Sequence, residues 1–303
     1  MSLSLFEVLS EKLPSLMLKR EELLSLHTSF HIGGPAEVMA FPRTVEELSD
    51  LLRTASMLGV RPALLGAGTN VLAPDEGLRG LVIVTRDCLT GLERTDETHI
   101  TAMAGVSMAK LAVFAQEAGL TGLEFAHGIP GTVGGGVYMN AGAYGGEIVQ
   151  VAEKTDFLHM DGTVQTLTGG AQGFAYRTSA FQSMSGVIVR TVFALQSGNR
   201  AAIRARMQEL AEKRRASQPL ELPSAGSAFK RPAGGYAAAL IEQAGLKGFR
   251  VGGAAVSEKH AGFLVNLGGA TAADVLNLIQ IVQKRVLETS GIALEPEIRL
   301  WKG

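Results

Sequence analysis

Two glycine-rich runs and three polar clusters carry the residues of this chain that could do chemistry. The first run is Gly66-Ala67-Gly68-Thr69-Asn70. The second is Gly128-Ile129-Pro130-Gly131-Thr132-Val133-Gly134-Gly135-Gly136, inside a 25-residue stretch from Gly122 to Gly146 that holds nine of the chain's 37 glycines. Glycine costs backbone entropy, so such clustering needs positive φ angles or a backbone lying against a ligand. Backbone N–H groups in loops of this kind form anion-binding concavities, and Thr69, Asn70 and Thr132 add side-chain donors. Two such loops suit a diphosphate. A flexible linker is the bland alternative, but linkers lack buried-type residues, and this stretch carries Ile129, Val133, Val137 and Met139.

The common nucleotide folds do not fit. After Gly66-x-Gly68 the third glycine of a Rossmann fingerprint is missing, and Pro74 stands where its helix should run. Neither run ends in the Gly-Lys-Ser/Thr of a Walker loop. No G-x-S-x-G elbow exists, and the six histidines show no metal-ligand spacing, so hydrolase and metal chemistry are not expected.

The polar clusters are Tyr176-Arg177-Thr178-Ser179, Ser224-Ala225-Gly226-Ser227-Ala228-Phe229-Lys230-Arg231-Pro232, and Glu297 with Arg299 near the C-terminus. Taken singly, the first two read as surface turns and Glu297 as a solvated carboxylate. Their meaning depends on what positions them.

The elements that must do so can be read from periodicity and caps. A helical segment is expected at the N-terminus, then a polar turn from Leu26 to Pro35. Thr44 caps a helix with Glu46 and Glu47 in its first turn, ending at Gly59. Strands Ala63–Leu65 and Leu81–Val84 complete a βαβ-type unit. From Ile100 to about Gln196 the texture is short strands and glycine turns, with one helix from Ser107 to Ala118 closed by Gly119 and a hairpin closed by Asp161-Gly162. Helices follow over Asn199–Ser217, Tyr236–Ala244 and from Thr271 onward, with a strand over Gly262–Leu267 and a last one over Glu297–Trp301. Val275, Leu278, Ile279, Val282 and Val286 recur at helical spacing and belong to a core. The class is α+β.

Composition narrows the function. At 303 residues the chain can fill two or three domains; 46% hydrophobic and 19% charged residues are ordinary for a globular protein. A net charge of −1 gives no reason to expect nucleic acid or anionic membrane as partner. One cysteine, Cys88, excludes internal disulfides and suits a reducing cytoplasm. The N-terminal stretch lacks the basic start and continuous apolar core of a signal peptide, and no stretch approaches the roughly 20 apolar residues of a membrane span.

In this order the motifs resemble the UDP-N-acetylenolpyruvoylglucosamine reductase (MurB) family. The matching residues are Thr28-Ser29-Phe30-His31-Ile32-Gly33-Gly34-Pro35-Ala36, Gly66–Asn70, Gly122–Gly146, Tyr176-Arg177-x-Ser179, Ala225-Gly226-Ser227-x-Phe229-Lys230 and Pro296-Glu297-Ile298-Arg299. The resemblance implies three domains: residues 1–80, joined by the C-terminal strand 294–303, and 81–198, which hold FAD in a vanillyl-alcohol-oxidase (PCMH) type module, and 199–293, which bind substrate. It implies a cytoplasmic flavoenzyme of peptidoglycan precursor synthesis, monomeric or at most a weak homo-oligomer. NADPH would reduce the flavin, and UDP-N-acetylglucosamine enolpyruvate would be reduced to UDP-N-acetylmuramate.

For the residues, the resemblance implies FAD contacts from Gly66, Ala67, Gly68, Thr69, Asn70, Gly128, Ile129, Pro130, Gly131, Thr132, Gly134, Gly135, Asn140 and Ala141. It implies Arg177 at the substrate carboxylate, Ser227 as proton donor to C2, and Glu297 as the third active-site residue. Tyr176, Arg214, Gln218, Lys230 and Arg231 would serve the substrate. The family's first branch carries a long insertion after Tyr-Arg-x-Ser; here the segment from Arg177 to Gly226 is about a strand and a helix, so the chain resembles the shorter, second branch. A flavin oxidase on the same module, with His127 near the glycine loops as a linkage point, and a catalytically silent flavin- or nucleotide-binding protein are the alternatives. Each leaves Ser227 and Glu297 without a role.

Overall fold

The computed structural model describes residues 3–302. The chain collects into two compact units. One comprises residues up to Arg20, Val38–Ala67 and Gly80–Lys213; the other comprises Glu21–Glu37, Gly68–Arg79 and the chain from Arg214 onward. Residues 1–80 therefore contribute to both units.

In the first unit the helix Val45–Met57 forms because Thr44 caps it, its hydroxyl accepting from the Glu47 N–H at 3.1 Å. Leu48, Leu51, Leu52 and Ala55 fall on its buried face. Strand Ala63–Leu65 pairs in parallel with Leu78–Val84, Ala63 opposite Val82. They belong to a four-stranded sheet ordered Met17–Leu23, Pro35–Phe41, Leu78–Val84, Ala63–Leu65. A second, five-stranded sheet runs Val164–Thr168, Ala152–His159, Gly186–Ala194, His99–Met103, Leu92–Arg94, every neighbour antiparallel. The Asp161-Gly162 turn closes its first hairpin, with the Asp161 carboxylate accepting from the Thr163 N–H at 2.9 Å. The helix Met108–Ala118 is capped by Ser107 and ended by Gly119 at φ +73.

A polar trio sits in this core. The Thr155 hydroxyl donates to Gln172 Oε1 at 2.8 Å and lies 3.0 Å from the Thr191 hydroxyl, while Gln172 Nε2 donates to the carbonyls of Ala152 and Glu153. All three side chains are fully buried. Because each is satisfied, the trio locks the sheet to the turn at 169–172 instead of weakening it.

The second unit packs the helix Ala272–Ser290 on a sheet ordered Ser224–Ser227, Phe263–Asn266, Ala254–Val256, Arg250–Val251. Val275, Leu278, Ile279, Val282 and Val286 are buried as their spacing requires. Thr271 and Asp274 form a reciprocal capping box, and the Asp75 carboxylate accepts from the N–H groups of Ala272 and Ala273 at 2.7 and 3.0 Å. These carboxylates sit where the helix dipole favours negative charge. The C-terminal strand is only Arg299–Leu300, shorter than the Glu297–Trp301 span expected, and pairs in parallel with Val71–Leu72.

Two further expectations need correction. The N-terminal helix covers only Leu5–Lys12, and Met17–Leu23 is a strand. Pro14 stops the helix, and beyond it the chain finds sheet partners that local propensity cannot reveal. The stretch Gly122–Gly146 is not a loop throughout, because Val133–Tyr138 is helical. Among the described residues, no helix is long and apolar enough to cross a membrane, and no group of three or more histidine, cysteine or acidic side chains could hold a metal ion.

Burial pushes the Cys88 thiol up to about 12, so it is an inert packing residue. His99 stands between Asp96 and Glu153, its Nδ1 2.9 Å and its Nε2 2.7 Å from their carboxylates. The bond to Asp96 raises its pKa above the ordinary histidine value. A raised folded-state pKa contributes stability that is full below about pH 6.5, the unfolded value, and is lost as pH rises through the folded value. Thermal unfolding of His99→Gln, measured from pH 5.5 to 8.5, is expected to lose this part of the pH dependence. An unchanged slope would show that the trio contributes nothing.

Candidate functional site

In the first unit the two glycine runs touch. A Cβ built on Gly66 would lie 2.7 Å from the Thr132 hydroxyl oxygen, so only glycine lets the runs approach this closely. Thr132 is buried and caps the helix Val133–Tyr138, accepting from the Gly135 N–H at 3.4 Å. The three consecutive glycines divide their tasks. Gly134 and Gly136 bring the helix against Ala104 and Met108, where added Cβ atoms would lie 2.9 Å from Ala104 Cβ and 2.8 Å from Met108 Sδ, while Gly135 is exposed. Packing thus accounts for Gly134, which the resemblance implied at the cofactor, as it does for Gly136.

Beyond this helix the chain turns at Asn140, which is buried at φ +43. Its amide donates to Glu147 at 3.1 Å and to the Ala175 carbonyl at 3.0 Å, and its oxygen accepts from the Val149 N–H. Both amide hydrogens are therefore engaged inside the protein, and a cofactor contact here would come from the backbone or the remaining lone pair. The bond to Ala175 ties the glycine stretch to the turn carrying Arg177. In that turn Ala175 and Thr178 exchange both backbone bonds at 3.1 Å, leaving Tyr176 and Arg177 at its tip. Arg177 adopts φ +56, a left-handed conformation costing about 1–2 kcal/mol for a residue with a Cβ. Glycine would be the unstrained choice, so the side chain is kept at a cost, the kind of outlier that marks functional positions. The guanidinium donates to the Gly142 carbonyl at 3.2 Å and lies over the Tyr176 ring at 5.0 Å.

In the second unit the strand Ser224–Ser227 is irregular. Its register on Phe263–Asn266 shifts between Ser224 and Ser227, with Gly226 at φ +75. A bulge breaks the two-residue alternation, and Ala225 is buried while Ser227 is exposed. Directly after it, the Glu297 N–H donates to the Ala228 carbonyl and the Lys230 N–H to the Glu295 carbonyl, both at 2.8 Å. These bonds bring Ser227 and Glu297, seventy residues apart, into neighbouring stretches. The Asn70 amide donates to the Glu297 carbonyl at 3.3 Å, and its own carbonyl accepts from Arg299 at 3.0 Å. Ser29 donates from its N–H to the Gly68 carbonyl and from its hydroxyl to the Ser224 carbonyl at 2.6 Å. The residues Gly68, Thr69 and Asn70 thus belong structurally with Ser227 and Glu297.

The remaining expected residues are engaged to different degrees. Lys230 pairs with Glu295, and Arg231 lies 4.1 Å from the centroid of the Tyr236 ring. Tyr176 is exposed, and Arg214 is half-buried in the last turn of the helix Arg200–Ser217. Gln218 Oε1 is buried without a hydrogen-bond partner, as is His127 Nδ1 beside Gly128. A buried polar atom left unpaired costs about 1–3 kcal/mol, which a bound polar group removes. The unpaired His127 nitrogen, with Gly128 to Gly131 beside it, fits a cofactor rich in polar groups. Sequence reasoning gave no role to Ser29, which lay inside a matching motif, or to Gln182, which carried no signal.

Residues 36–168 match the FAD binding domain family, and residues 218–301 match the family described as UDP-N-acetylenolpyruvoylglucosamine reductase, C-terminal domain. The UDP-N-acetylenolpyruvoylglucosamine reductase of Caldanaerobacter subterraneus subsp. tengcongensis is 44% identical over 300 residues, covering 97% of this chain and 98% of the relative. The chain belongs to the UDP-N-acetylenolpyruvoylglucosamine reductase family. A reductase of Symbiobacterium thermophilum is 46% identical over 284 residues, covering 94% of this chain and 92% of its own. The crystal structure of the MurB reductase from Thermus caldophilus superimposes with a TM-score of 0.81 at 36% identity, over 95% of this chain and all of that one. The α+β architecture, with an FAD-binding module of PCMH type and the reductase family's C-terminal domain, is as the sequence implied.

Gly66→Ala is expected to force the two glycine runs apart. Overpacking of this kind costs about 1–3 kcal/mol, or about a 5- to 150-fold weaker FAD Kd by flavin fluorescence. Adding Thr132→Ala removes the colliding oxygen and should recover part of the loss. Wild-type FAD affinity in the single variant would refute the close approach as a requirement.

Proposed function

We propose that this protein is an NADPH-dependent flavoenzyme that reduces the enolpyruvyl double bond of UDP-N-acetylglucosamine enolpyruvate to UDP-N-acetylmuramate. The observation that carries the reading is the bulge at Gly226, which exposes Ser227 beside the stretch holding Glu297. A serine turned out of a strand by a positive-φ glycine, beside the stretch that carries Glu297, suits a proton donor more than a packing residue.

Gly66–Asn70, Gly128–Thr132, Gly134, Gly135, Asn140 and Ala141 would hold FAD, which, once reduced by NADPH, would supply a hydride to C3 of the substrate. The chain's own residues do the rest. Arg177 offers a planar, permanently charged group to the substrate carboxylate as negative charge develops on it. Charge arriving at C3 makes C2 strongly basic, and the Ser227 hydroxyl donates its proton there; so weak an acid serves only because the acceptor is so strong a base. Glu297 holds the acid–base geometry, its backbone fixed by Ala228 and Asn70.

Tyr176, Arg214, Gln218, Lys230 and Arg231 serve the substrate, with Gln218 at its UDP end. The unpartnered Gln218 oxygen supports this, since a uracil N–H would satisfy it. Lys230 would exchange its pairing with Glu295, an exposed pair worth no more than about 1 kcal/mol. The pairing of Arg299–Leu300 with Val71–Leu72 supports assigning 294–303 to the domain of residues 1–80, beside 81–198 for FAD and 199–293 for substrate. A cytoplasmic monomer acting on the soluble nucleotide sugar completes the proposal.

The purified protein should be yellow and should release its flavin on denaturation. A colourless protein that cannot be reconstituted with FAD would defeat the reading, and flavin retained covalently would favour an oxidase linked through His127. In Ser227→Ala, NADPH should still bleach the flavin while reoxidation by substrate nearly stops. Normal substrate-driven reoxidation in that variant would remove Ser227 from the proton-donor role.

A further inference from the structure

We infer that Gln182 is a positioning residue for Arg177, holding the arginine turn on the glycine stretch through a single bifunctional amide. Its Nε2 donates to the Tyr138 carbonyl at 2.9 Å and to the Arg177 carbonyl at 3.1 Å, and approaches Met139 Sδ at 3.7 Å. An amide has two hydrogens, so the two carbonyls use both. One of these carbonyls lies in the glycine stretch and the other belongs to the left-handed residue itself.

The need for such a clamp follows from the conformation. Arg177 at φ +56 relaxes unless its surroundings hold it, and the exchanged bonds of Ala175 and Thr178 fix the ends of the turn. Neighbouring anchors act on other points: Asn140 on Ala175, and the Ser179 hydroxyl on the same Tyr138 carbonyl at 2.7 Å. Gln182 links the carbonyl of Arg177 to that shared acceptor. It starts from the short turn Ala180–Ser183, whose Phe181 is buried and stacked on Phe157, so its base is rigid. A displacement at Tyr138 therefore reaches the arginine backbone through two hydrogen bonds. Glutamate at 182 would keep the shape but turn one donor group into an acceptor facing two carbonyls.

This inference rests on the catalytic reading of Arg177, and the experiment separates the two. Amide hydrogen exchange over residues 176–179 needs no activity. Gln182→Ala and the isosteric Gln182→Glu should each raise it by about fivefold, the equivalent of one lost hydrogen bond, with overall unfolding little changed. In turnover, Gln182→Ala should lower kcat about 10- to 100-fold while KM for NADPH stays as in the wild type. In an Arg177→Ala background, adding Gln182→Ala should cost nothing further, because the residue acts through the arginine. Unchanged exchange at 176–179 would overturn the clamp whatever the kinetics. Multiplying losses in the double variant would overturn action through Arg177. Full activity of Arg177→Ala alone would remove the catalytic reading, and the positioning role with it.

Discussion

The carbonyl of Tyr138 is where the chemistry of the first unit meets its packing. It ends a six-residue helix that exists in this position only because Gly134 and Gly136 lie flat against Ala104 and Met108. The same carbonyl accepts from Ser179 and Gln182, and through them holds the turn that presents Arg177. A carbonyl has two lone pairs, and two donors from one turn occupy both here, so the joint is hard to open. A left-handed arginine survives there because the surrounding bonds over-determine it.

The second unit solves the corresponding problem with backbone hydrogen bonds. Ser227 and Glu297 come from distant parts of the chain, and backbone bonds bring their stretches together. The N–H of Glu297 on the Ala228 carbonyl and the pairing of Lys230 with Glu295 set their spacing. Asn70 and Ser29 then bind the loop Gly68–Asn70 to the same strands. A loop that reads as a phosphate cradle also braces the stretches that carry Ser227 and Glu297, and its asparagine makes one of those bonds. The double capping of the helix Ala272–Ser290 by Thr271 and Asp75 anchors the far end of that segment, a few residues beyond Leu72.

Helices were legible where caps and periodicity agreed. Thr44, Ser107 and Thr271 each accept from the third residue of the helix they open, and Gly119 and Gly291 close two of these helices at positive φ. These are local events, and local sequence encodes them. The strand Met17–Leu23 was not legible, because sheet pairing depends on partners elsewhere in the chain. The glycine stretch was legible as exceptional but not in its division of labour. Whether a glycine faces a ligand or a neighbouring helix depends on what lies against it, and for Gly134 and Gly136 that is Ala104 and Met108.

By itself the sequence determined the α+β class, the family and the residues whose chemistry suits the reaction, because residue type and spacing carry donors, charges and backbone freedom directly. Only the tertiary structure decided that Gly66 lies against Thr132, that a bulge turns Ser227 outward beside the Glu297 stretch, and that Gln182 holds the arginine turn. Each of these joins segments far apart in the chain or fixes a backbone angle by its surroundings. Contacts of that kind are made by the folded chain as a whole, and no local pattern of residues encodes them.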